Sequence, residues 1–328
     1  MFLIKGGWQL AGGHGPVDRE QAIEDMAAFV DAGITTFDCA DIYTGVEALI
    51  GEFLAARPDL APRVRVHTKF VPDLDRLAVM TGADVERTID RSRERLKRAS
   101  LDLVQFHWWD YSVPRYIEIA RELVRLVEKG WIRQIGLTNF DAPHVEAFLT
   151  AGIPIAFHQV QYSLLDRRPA ERMAKMSVPL LCYGALAGGF MSERWLGAKE
   201  PVGPLENRSL TKYKLIIDEF GGWSLFQELL AALAQIADCH SVSVGAVAIR
   251  WVLDQPGVHA VIVGARNRDH LPGMLNALSL RLDSNDLETI DGVLSRSTGP
   301  NGEVYGFERD RQGVHGRIMR YDLNKVKP

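Results

Sequence analysis

Four polar side chains stand at or just beyond the ends of three consecutive apolar runs. They are an acid, a phenol, an amine and an imidazole, namely Asp38, Tyr43, Lys69 and His107. In a closed barrel of strand–loop–helix units, the carboxyl ends of all strands face one mouth, so residues that are distant in sequence become neighbours there. Brought together in this way, the four groups would form a site for proton transfer.

The chemistry that such a set supports is general acid catalysis. An isolated tyrosine has a pKa of ~10, which is too high for easy proton exchange near pH 7. A lysine ammonium beside the phenol is expected to lower that pKa, and a carboxylate keeps the lysine charged and in place. An imidazole can hydrogen-bond the group that the phenol protonates. The set contains neither a Ser or Cys nucleophile nor a cluster of metal ligands, so carbonyl reduction fits better than acyl transfer.

Each of these residues, taken alone, has a simpler explanation. A lysine or an aspartate at a strand end is more often part of a structural ion pair. A tyrosine is more often a packed ring, and a histidine is more often a polar group with its hydrogen bonds satisfied. The carboxyl ends of barrel strands favour a functional role, and the occurrence of all four on successive predicted strands favours catalysis.

The elements that would position these residues are visible as apolar or β-branched runs that alternate with amphipathic stretches. The runs predict eight strands, at residues 3–8, 34–38, 64–69, 102–107, 132–138, 156–161, 179–184 and 258–263. Helices are predicted between them, including 18–33, with an acidic first turn and a final glycine, and 113–130, with Pro114 near its start.

Eight strands with intervening helices are typical of a parallel sheet, which is either an open doubly wound sheet or a closed barrel. The number of strands favours the barrel, and so does the absence of a G-x-G-x-x-G motif after the first strand. We therefore predict an α/β fold of the (β/α)8 TIM-barrel type, with residues 1–328 forming a single domain. The tail at about 299–328 has no clear period, and it either closes one side of the site or lies on the surface.

The longest stretch between predicted strands precedes the last one. It begins with a segment at 188–223 that is rich in Gly and Pro and is predicted to be irregular. Helices are predicted after it at 224–238 and 243–254. Aromatic residues in that segment favour packing, so a lid or a loop that covers a cofactor is predicted; they are Trp195, Tyr213 and Phe220.

Composition restricts the function classes. A formal net charge of −4 over 328 residues gives no reason to expect a nucleic-acid partner. The basic run 87–98 has apolar residues at helical spacing, which is typical of a solvated helix face. No run approaches the ~20 apolar residues that cross a bilayer. The cysteines are odd in number and lack metal-ligand spacing, which favours reduced thiols in the cytoplasm; they are Cys39, Cys182 and Cys239.

The sequence resembles the aldo-keto reductase superfamily over nearly its whole length. The resemblance rests on seven blocks in the family's order: FDCADIY (37–43), HTKF (67–70), FHWW (106–109), IGLTNF (135–140), QVQYSLLDR (159–167), YGALAGGF (183–190) and VIVGAR (261–266). It implies a (β/α)8 barrel that binds a nicotinamide cofactor in an extended form. It also implies that the four residues of the proton-transfer set are the catalytic tetrad, with Tyr43 as general acid and hydride passing from the nicotinamide to a carbonyl carbon.

The resemblance further implies which residues bind the cofactor and the substrate. The nicotinamide would contact Thr138, Asn139, Gln159 and Tyr183, with the tyrosine stacked on the ring. The pyrophosphate would lie along Leu186, Gly188 and Phe190, and Gly184 is a further predicted cofactor contact. The adenosine end would meet Gly264, Ala265, Arg266 and His270. Arg266, with Arg268, would pair with a 2′-phosphate, so NADPH is the expected cofactor and NADH the second option. An aromatic wall around the substrate would consist of Trp8, Trp108 and Trp109. Gly184 stands where serine is usual in the family.

Three functions remain open from the sequence. The leading one is an NAD(P)H-dependent reductase of aldehydes or ketones, with a small carbonyl compound as partner and neither nucleic acid nor a membrane. The alternative is a non-catalytic, cofactor-sensing auxiliary subunit of the same fold, because some members of the superfamily act in that way. The third, a lyase or isomerase with Lys69 as a Schiff-base amine, needs an uncharged lysine, and Asp38 would oppose that. Oligomeric state has no signature in the sequence.

Overall fold

The computed structural model of the chain describes residues 3–324, in which eight strands pair in chain order and close into a parallel barrel. The last strand pairs with the first, which completes the closure. The strands are β1 Leu3–Gly6, β2 Thr36–Asp38, β3 Arg65–Phe70, β4 Leu103–Phe106, β5 Ile135–Thr138, β6 Ile155–Gln161, β7 Leu180–Tyr183 and β8 Val258–Gly264. The predicted (β/α)8 barrel is confirmed, and the strand ends lie within a few residues of their predicted positions.

Helices follow the strands on the outside of the barrel. They are α1 Arg19–Asp31, α2 Val46–Ala56, α3 Gly82–Leu96, α4 Tyr116–Glu128, α5 Ala142–Thr150, α6 Arg208–Phe220, α7 Gly222–His240, α8 Val244–Leu253, α9 Leu271–Ser279 and α10 Ser284–Leu294, with the one-turn helices α11 Gly306–Arg309 and α12 Val314–Arg317 in the tail. The carboxylate of Asp18 accepts a hydrogen bond from the N–H of Gln21 and so begins α1. The basic run belongs to α3, which buries Ile89 and Leu96 as its spacing predicts.

The segment 188–223 is not irregular throughout, and the prediction was wrong for residues 208–220. These residues form α6, which buries one face made of Leu210, Tyr213, Ile216, Ile217 and Phe220. Their spacing of three and four residues is helical, but the preceding glycines and prolines dominated the interpretation. Trp195 packs on Phe190, at 4.7 Å between ring centroids, as the prediction of a packed segment requires.

The inside of the barrel has an apolar floor and a polar layer above it. A small cluster of buried residues forms the floor, namely Ile4, Leu103, Leu181, Ala260 and Ile262. Residues two apart on a strand share one side, so Gln105 stands above Leu103 on β4. A layer of side chains that excludes water strengthens the electrostatic interactions of the polar groups above it.

The tail crosses the mouth of the barrel and closes one side of it. The N–H of Leu74, in the loop after β3, donates to the carbonyl oxygen of Tyr321 at 2.8 Å. The side-chain amide of Asn324 donates to the carbonyl oxygen of Val71 at 2.7 Å. These bonds favour the first of the two predicted roles for the tail.

Two further features concern the chain as a whole. Within residues 3–324 no single helix is both long and apolar enough to cross a bilayer; α7 and α8 meet those criteria only as a pair bent by 95°. Cys39 and Cys182 are buried, Cys239 is exposed, and all three are unpaired.

Candidate active site

The centre of the site is an ion pair between neighbouring strands. Lys69, on β3, donates to Oδ2 of Asp38, the last residue of β2, at 2.6 Å, and also to the carbonyl oxygen of Cys39 at 2.8 Å. The two charged side chains are only 6% and 5% exposed. The Lys69 ammonium lies 5.1 Å from the ring centre of Tyr43. The structure therefore brings the predicted acid, amine and phenol together.

Two glutamines hold the other oxygen of the carboxylate. The amides of Gln105 and Gln159 donate to Oδ1 of Asp38 at 3.0 and 2.7 Å. Gln159 also donates to Oε1 of Gln105 at 2.8 Å. Sequence reasoning missed Gln105, although a polar residue two positions before His107 has to face the same side of the strand. The network fixes the carboxylate and, through it, the ammonium.

Burial and charge set the protonation states of this group. Burial alone disfavours the ammonium of Lys69, but the Asp38 carboxylate outweighs it and raises the pKa of the lysine. Burial also raises the pKa of the Tyr43 phenol, and the nearby ammonium offsets only part of that effect. Lys69 has the predicted lowering effect, but burial outweighs it, so the pKa of the phenol is raised overall. The phenol stays protonated at neutral pH, which is the state that a proton donor needs.

His107 follows β4 and completes the predicted set. Its Nδ1 lies 3.1 Å from the carbonyl oxygen of Thr138. A carbonyl oxygen only accepts, so this assignment places the proton on Nδ1 and a lone pair on Nε2. Burial first, and then the charge of Arg309, lowers the pKa of His107 to about 3, so the imidazole is neutral. Nε2 is buried and has no partner among residues 3–324, so it is free to accept a hydrogen bond from a hydroxyl group.

These groups open into a cleft of about 880 Å³ at the carboxyl ends of the strands, a size typical of small-molecule sites. Most of the residues predicted for cofactor and substrate line this cleft; they are Trp8, Trp109, Thr138, Asn139, Gln159, Tyr183, Gly184, Leu186, Gly188, Gly264, Arg266 and His270.

Three predicted residues do not line the cleft. Trp108 is fully buried and its indole N–H donates to the carbonyl oxygen of Val113, because neighbouring residues at a strand end point to opposite sides. The Phe190 side chain is fully buried in the core. Ala265 is fully buried too, and its carbonyl oxygen accepts from Lys5. The Trp108 side chain is therefore not part of a wall around the cleft, and only the backbone of Phe190 and Ala265 is left for the predicted contacts with a cofactor.

The predicted nicotinamide end contains groups suited to an amide. The phenol of Tyr183 donates to Oδ1 of Asn139 at 2.9 Å, and Asn139 has a left-handed backbone with φ of 61°. The buried hydroxyl of Thr138 has no partner among the described residues. An unpaired buried hydroxyl is costly, and a carboxamide placed here would satisfy it.

The loop after β7 requires glycine at two positions. Gly184 has φ of 85°, and a Cβ there would collide with the hydroxyl of Tyr213. Gly188 has φ of 65°, and its Cβ would lie 2.8 Å from the same ring. Only glycine adopts these conformations without strain, and the bare backbone leaves room for a ligand.

At the predicted adenosine end the two arginines differ. Arg266 is exposed, lines the cleft and donates to the carbonyl oxygen of Pro16 at 3.1 Å. Arg268 instead lies near Glu24 and Asp25 on α1, at 3.8 and 3.5 Å. Of the two arginines, Arg266 is therefore the one that lines the cleft.

Comparison with known proteins agrees with this geometry. The sequence profile described as "Aldo/keto reductase family" matches residues 2–295. The chain belongs to the aldo/keto reductase family. It is similar to the aldo-keto reductase YhdN of Bacillus subtilis, at 29% identity over 89% of each chain. Flagellar radial spoke protein 5 of Chlamydomonas reinhardtii is 28% identical over 71% of this chain, which spans about half (56%) of that relative. A glycerol dehydrogenase from Gluconobacter oxydans has a similar structure, with a TM-score of 0.76, 25% identity, and 92% and 93% of the two chains covered. This member of the family is an oxidoreductase.

Several residues of the reductase's cleft have no counterpart in the sequence-based prediction. Ser209, at the start of α6, accepts from the indole of Trp8 at 3.2 Å and lies 3.1 Å from Nε2 of His14. Lys212 is 5.3 Å from the ring centre of Tyr183. Tyr305 and Met319 line the cleft from the tail. Their contacts span long sequence separations and leave no local signal.

Asp41, just beyond β2, gives a prediction about stability. Burial, and then the charge of Glu47, raises the pKa of Asp41 to about 8, whereas an unfolded aspartate titrates near ~3.9. Between these values the folded state binds more protons, so this carboxyl makes stability fall as pH rises from about 4 to about 8. Asp41→Asn should therefore gain stability relative to the parent protein as pH rises, in urea unfolding at pH 5 and pH 9.

An exposed aspartate provides the control for Asp41. Asp31→Asn, at the end of α1, is the matched substitution, because its side chain is 60% exposed whereas that of Asp41 is buried. Parallel pH profiles of Asp41→Asn and the parent would show that the Asp41 carboxyl does not hold its proton in the folded state.

Proposed function

We propose that this chain reduces aldehydes or ketones to alcohols, with NADPH as the hydride donor and Tyr43 as the general acid. The observation that supports this most is the buried Lys69–Asp38 ion pair beside the Tyr43 phenol at an open cleft. A small carbonyl compound is the proposed partner, and neither nucleic acid nor a membrane is involved. The unpaired cysteines favour the cytoplasm as its compartment.

Each residue of the proposed site has its own role in the reaction. A bound nicotinamide dinucleotide supplies the hydride that the carbonyl carbon receives. The electron pair of the C=O bond moves to oxygen, which takes the proton of the Tyr43 hydroxyl. Lys69 stabilises the phenolate, and Asp38 keeps Lys69 charged. The new hydroxyl donates to Nε2 of His107, and solvent returns a proton to the tyrosine.

The cofactor would be held by the residues that line the rest of the cleft. Thr138, Asn139 and Gln159 offer hydroxyl and amide groups for the carboxamide. Tyr183 offers a ring face for stacking. Arg266 offers a planar guanidinium for a 2′-phosphate.

Arg266 provides the test of cofactor preference. Arg266→Ala should raise the Kd for NADPH about 10- to 100-fold, since a charge-assisted contact is worth roughly 1.5–3 kcal/mol, and should change that for NADH little. Fluorescence titration with both cofactors measures this. Arg268→Ala is the matched control, because that arginine faces α1 and should leave both constants unchanged. An equal loss for the two cofactors in Arg266→Ala would remove the phosphate role.

The direct test of the proposed function is the loss of NADPH absorbance with a reactive aromatic aldehyde, repeated with NADH. Turnover would establish the reductase. Binding of NADPH without turnover would favour the auxiliary-subunit alternative. One specific observation supports that alternative, because one relative is named as a protein of the flagellar radial spoke.

The Schiff-base alternative is disfavoured by the 2.6 Å ion pair, which keeps Lys69 protonated. Trapping with a carbonyl compound and borohydride should therefore leave Lys69 unlabelled.

A further inference from the structure

Arg309 ends α11 in the tail, and its guanidinium lies between the ends of two barrel strands. Nη2 donates to the carbonyl oxygens of Trp108 at 3.0 Å and Asn139 at 2.9 Å. These residues directly follow His107 and Thr138 in the chain. One nitrogen atom of the tail therefore joins the loop after β4 to the loop after β5.

Aromatic faces hold the remainder of the guanidinium. Its central carbon lies 4.1 Å from the ring centre of Tyr111 and 5.4 Å from that of Tyr305. Nε and Nη1 are buried and have no hydrogen-bond partner among residues 3–324. Burying unsatisfied donors of a cation costs free energy. Packing of the tail alone does not account for a cation at this place.

Both joined loops carry groups of the candidate site. Asn139 has a left-handed backbone, which is strained for a residue other than glycine, and its side chain accepts from Tyr183. His107 donates from Nδ1 to the carbonyl oxygen of Thr138. The hydrogen bonds from Arg309 to the carbonyl groups of Trp108 and Asn139 therefore fix the backbone beside the His107 imidazole and the Asn139 amide.

We propose that Arg309 is a positioning residue of the catalytic site, which fixes the loops after β4 and β5 and places its positive charge near the imidazole of His107. The role of that imidazole in turnover rests on the proposed function, whereas the geometry does not. The family resemblance gave no role to the tail residue.

The charges around the imidazole agree with this role. Arg309 from the tail and Lys69 from β3 both disfavour a second proton on His107, while the carbonyl group of Thr138 favours it. The rings that pack against it belong to Trp109 and Tyr305 and carry no charge at neutral pH. Burial has the largest effect and Arg309 the next. Removing the guanidinium should therefore raise the pKa of His107 without restoring its ordinary value.

Two substitutions separate the charge of Arg309 from its geometry. Arg309→Met removes the charge and keeps much of the volume, whereas Arg309→Lys keeps the charge but is shorter and lacks the planar guanidinium that packs on Tyr111. Nitrogen-15 NMR of the imidazoles in the cofactor-free protein reports the titration of His107, whose signal is assigned with His107→Asn. Steady-state kinetics with NADPH and an aromatic aldehyde report kcat and KM.

We expect the pKa of His107 to rise by about one unit in Arg309→Met and to stay near the parent value in Arg309→Lys. We expect kcat to fall about tenfold or more in both, because the loops lose their bridge. If Arg309→Met does not fold, as judged by thermal unfolding, Arg309→Gln replaces it in both measurements.

Two results would overturn the proposal. One is an unchanged titration of His107 together with an unchanged kcat in the uncharged variant. The other is an equal loss of kcat in both variants with no change in the titration, which would assign Arg309 a merely structural role. If the parent protein fails to reduce carbonyl compounds, the NMR titration still measures the effect of Arg309 on His107. Failure of the proposed function can therefore be told apart from failure of the role proposed for Arg309.

Discussion

Tyr43→Phe should lower kcat for carbonyl reduction by about 10²- to 10⁴-fold, the usual contribution of a positioned general acid. The substitution removes a single oxygen atom. The ring keeps its contacts with Trp8, at 5.0 Å between centroids, and with the Lys69 ammonium. The cofactor should therefore bind nearly as it does to the parent protein. Loss of NADPH absorbance with a reactive aromatic aldehyde measures the first effect, and fluorescence titration with NADPH measures the second.

A second tyrosine controls for the loss of a phenol in general. Tyr116, at the start of α4, packs on Phe140 and Phe148 outside the cleft, so Tyr116→Phe should keep the parent turnover. Near-parental turnover in Tyr43→Phe would remove Tyr43 as the acid. Loss of NADPH binding in that variant would instead mean that the phenol serves the cofactor.

The barrel itself was predictable because its signals are local. A strand such as β3 is a short β-branched run, and a helix such as α1 has a capping aspartate before an apolar period. Each element can be recognised from a window of a few residues, and the alternation of strands and helices leaves few topologies. Helix α6 was missed although its apolar spacing is equally local, because the glycines and prolines before it suggested a loop.

The centre of the site was predictable for a related reason. In a closed barrel the carboxyl ends of all strands lie at one mouth. Residues at the ends of different strands, such as Asp38 and Lys69, are therefore close together. The same rule, applied with the alternation of side chains along a strand, separates Trp109 from Trp108 and predicts Gln105. That alternation was not applied, and the two tryptophans were treated alike.

The contributions of the tail were not predictable from the sequence. Arg309 and Tyr305 reach the site from about 200 residues beyond His107, through contacts that no sequence periodicity indicates. The net rise in the pKa of Tyr43 was missed for a different reason. The balance between burial and the attraction of Lys69 depends on how completely the mouth excludes water, and a sequence does not give that quantity.

The second large effect concerns the buried ion pair. Lys69→Met should lower the free energy of unfolding by about 3–5 kcal/mol, because it leaves the Asp38 carboxylate buried with only amide donors. Asp38→Asn should cost a similar amount, because it leaves the Lys69 ammonium without its counter-charge. Urea unfolding at pH 7 measures both changes. Turnover should be lost in both, since the phenolate of Tyr43 loses either its stabilising cation or the group that keeps this cation in place.

The double variant, with both Lys69→Met and Asp38→Asn, tests whether the ion pair serves the stability of the fold or the reaction. With both in place neither charge remains buried, and replacement of a buried ion pair by neutral groups is often neutral or even stabilising. The double variant should therefore recover most of the stability that each single variant loses, a coupling that a double-mutant cycle measures directly. Turnover should stay lost, because the phenol of Tyr43 still lacks an ammonium beside it.

If stability and turnover returned together, proton transfer would not need the lysine. If neither returned, the two side chains would be serving the fold through contacts other than their charges. Recovery of stability alone would show that the chain keeps this pair for its chemistry at some expense to its fold.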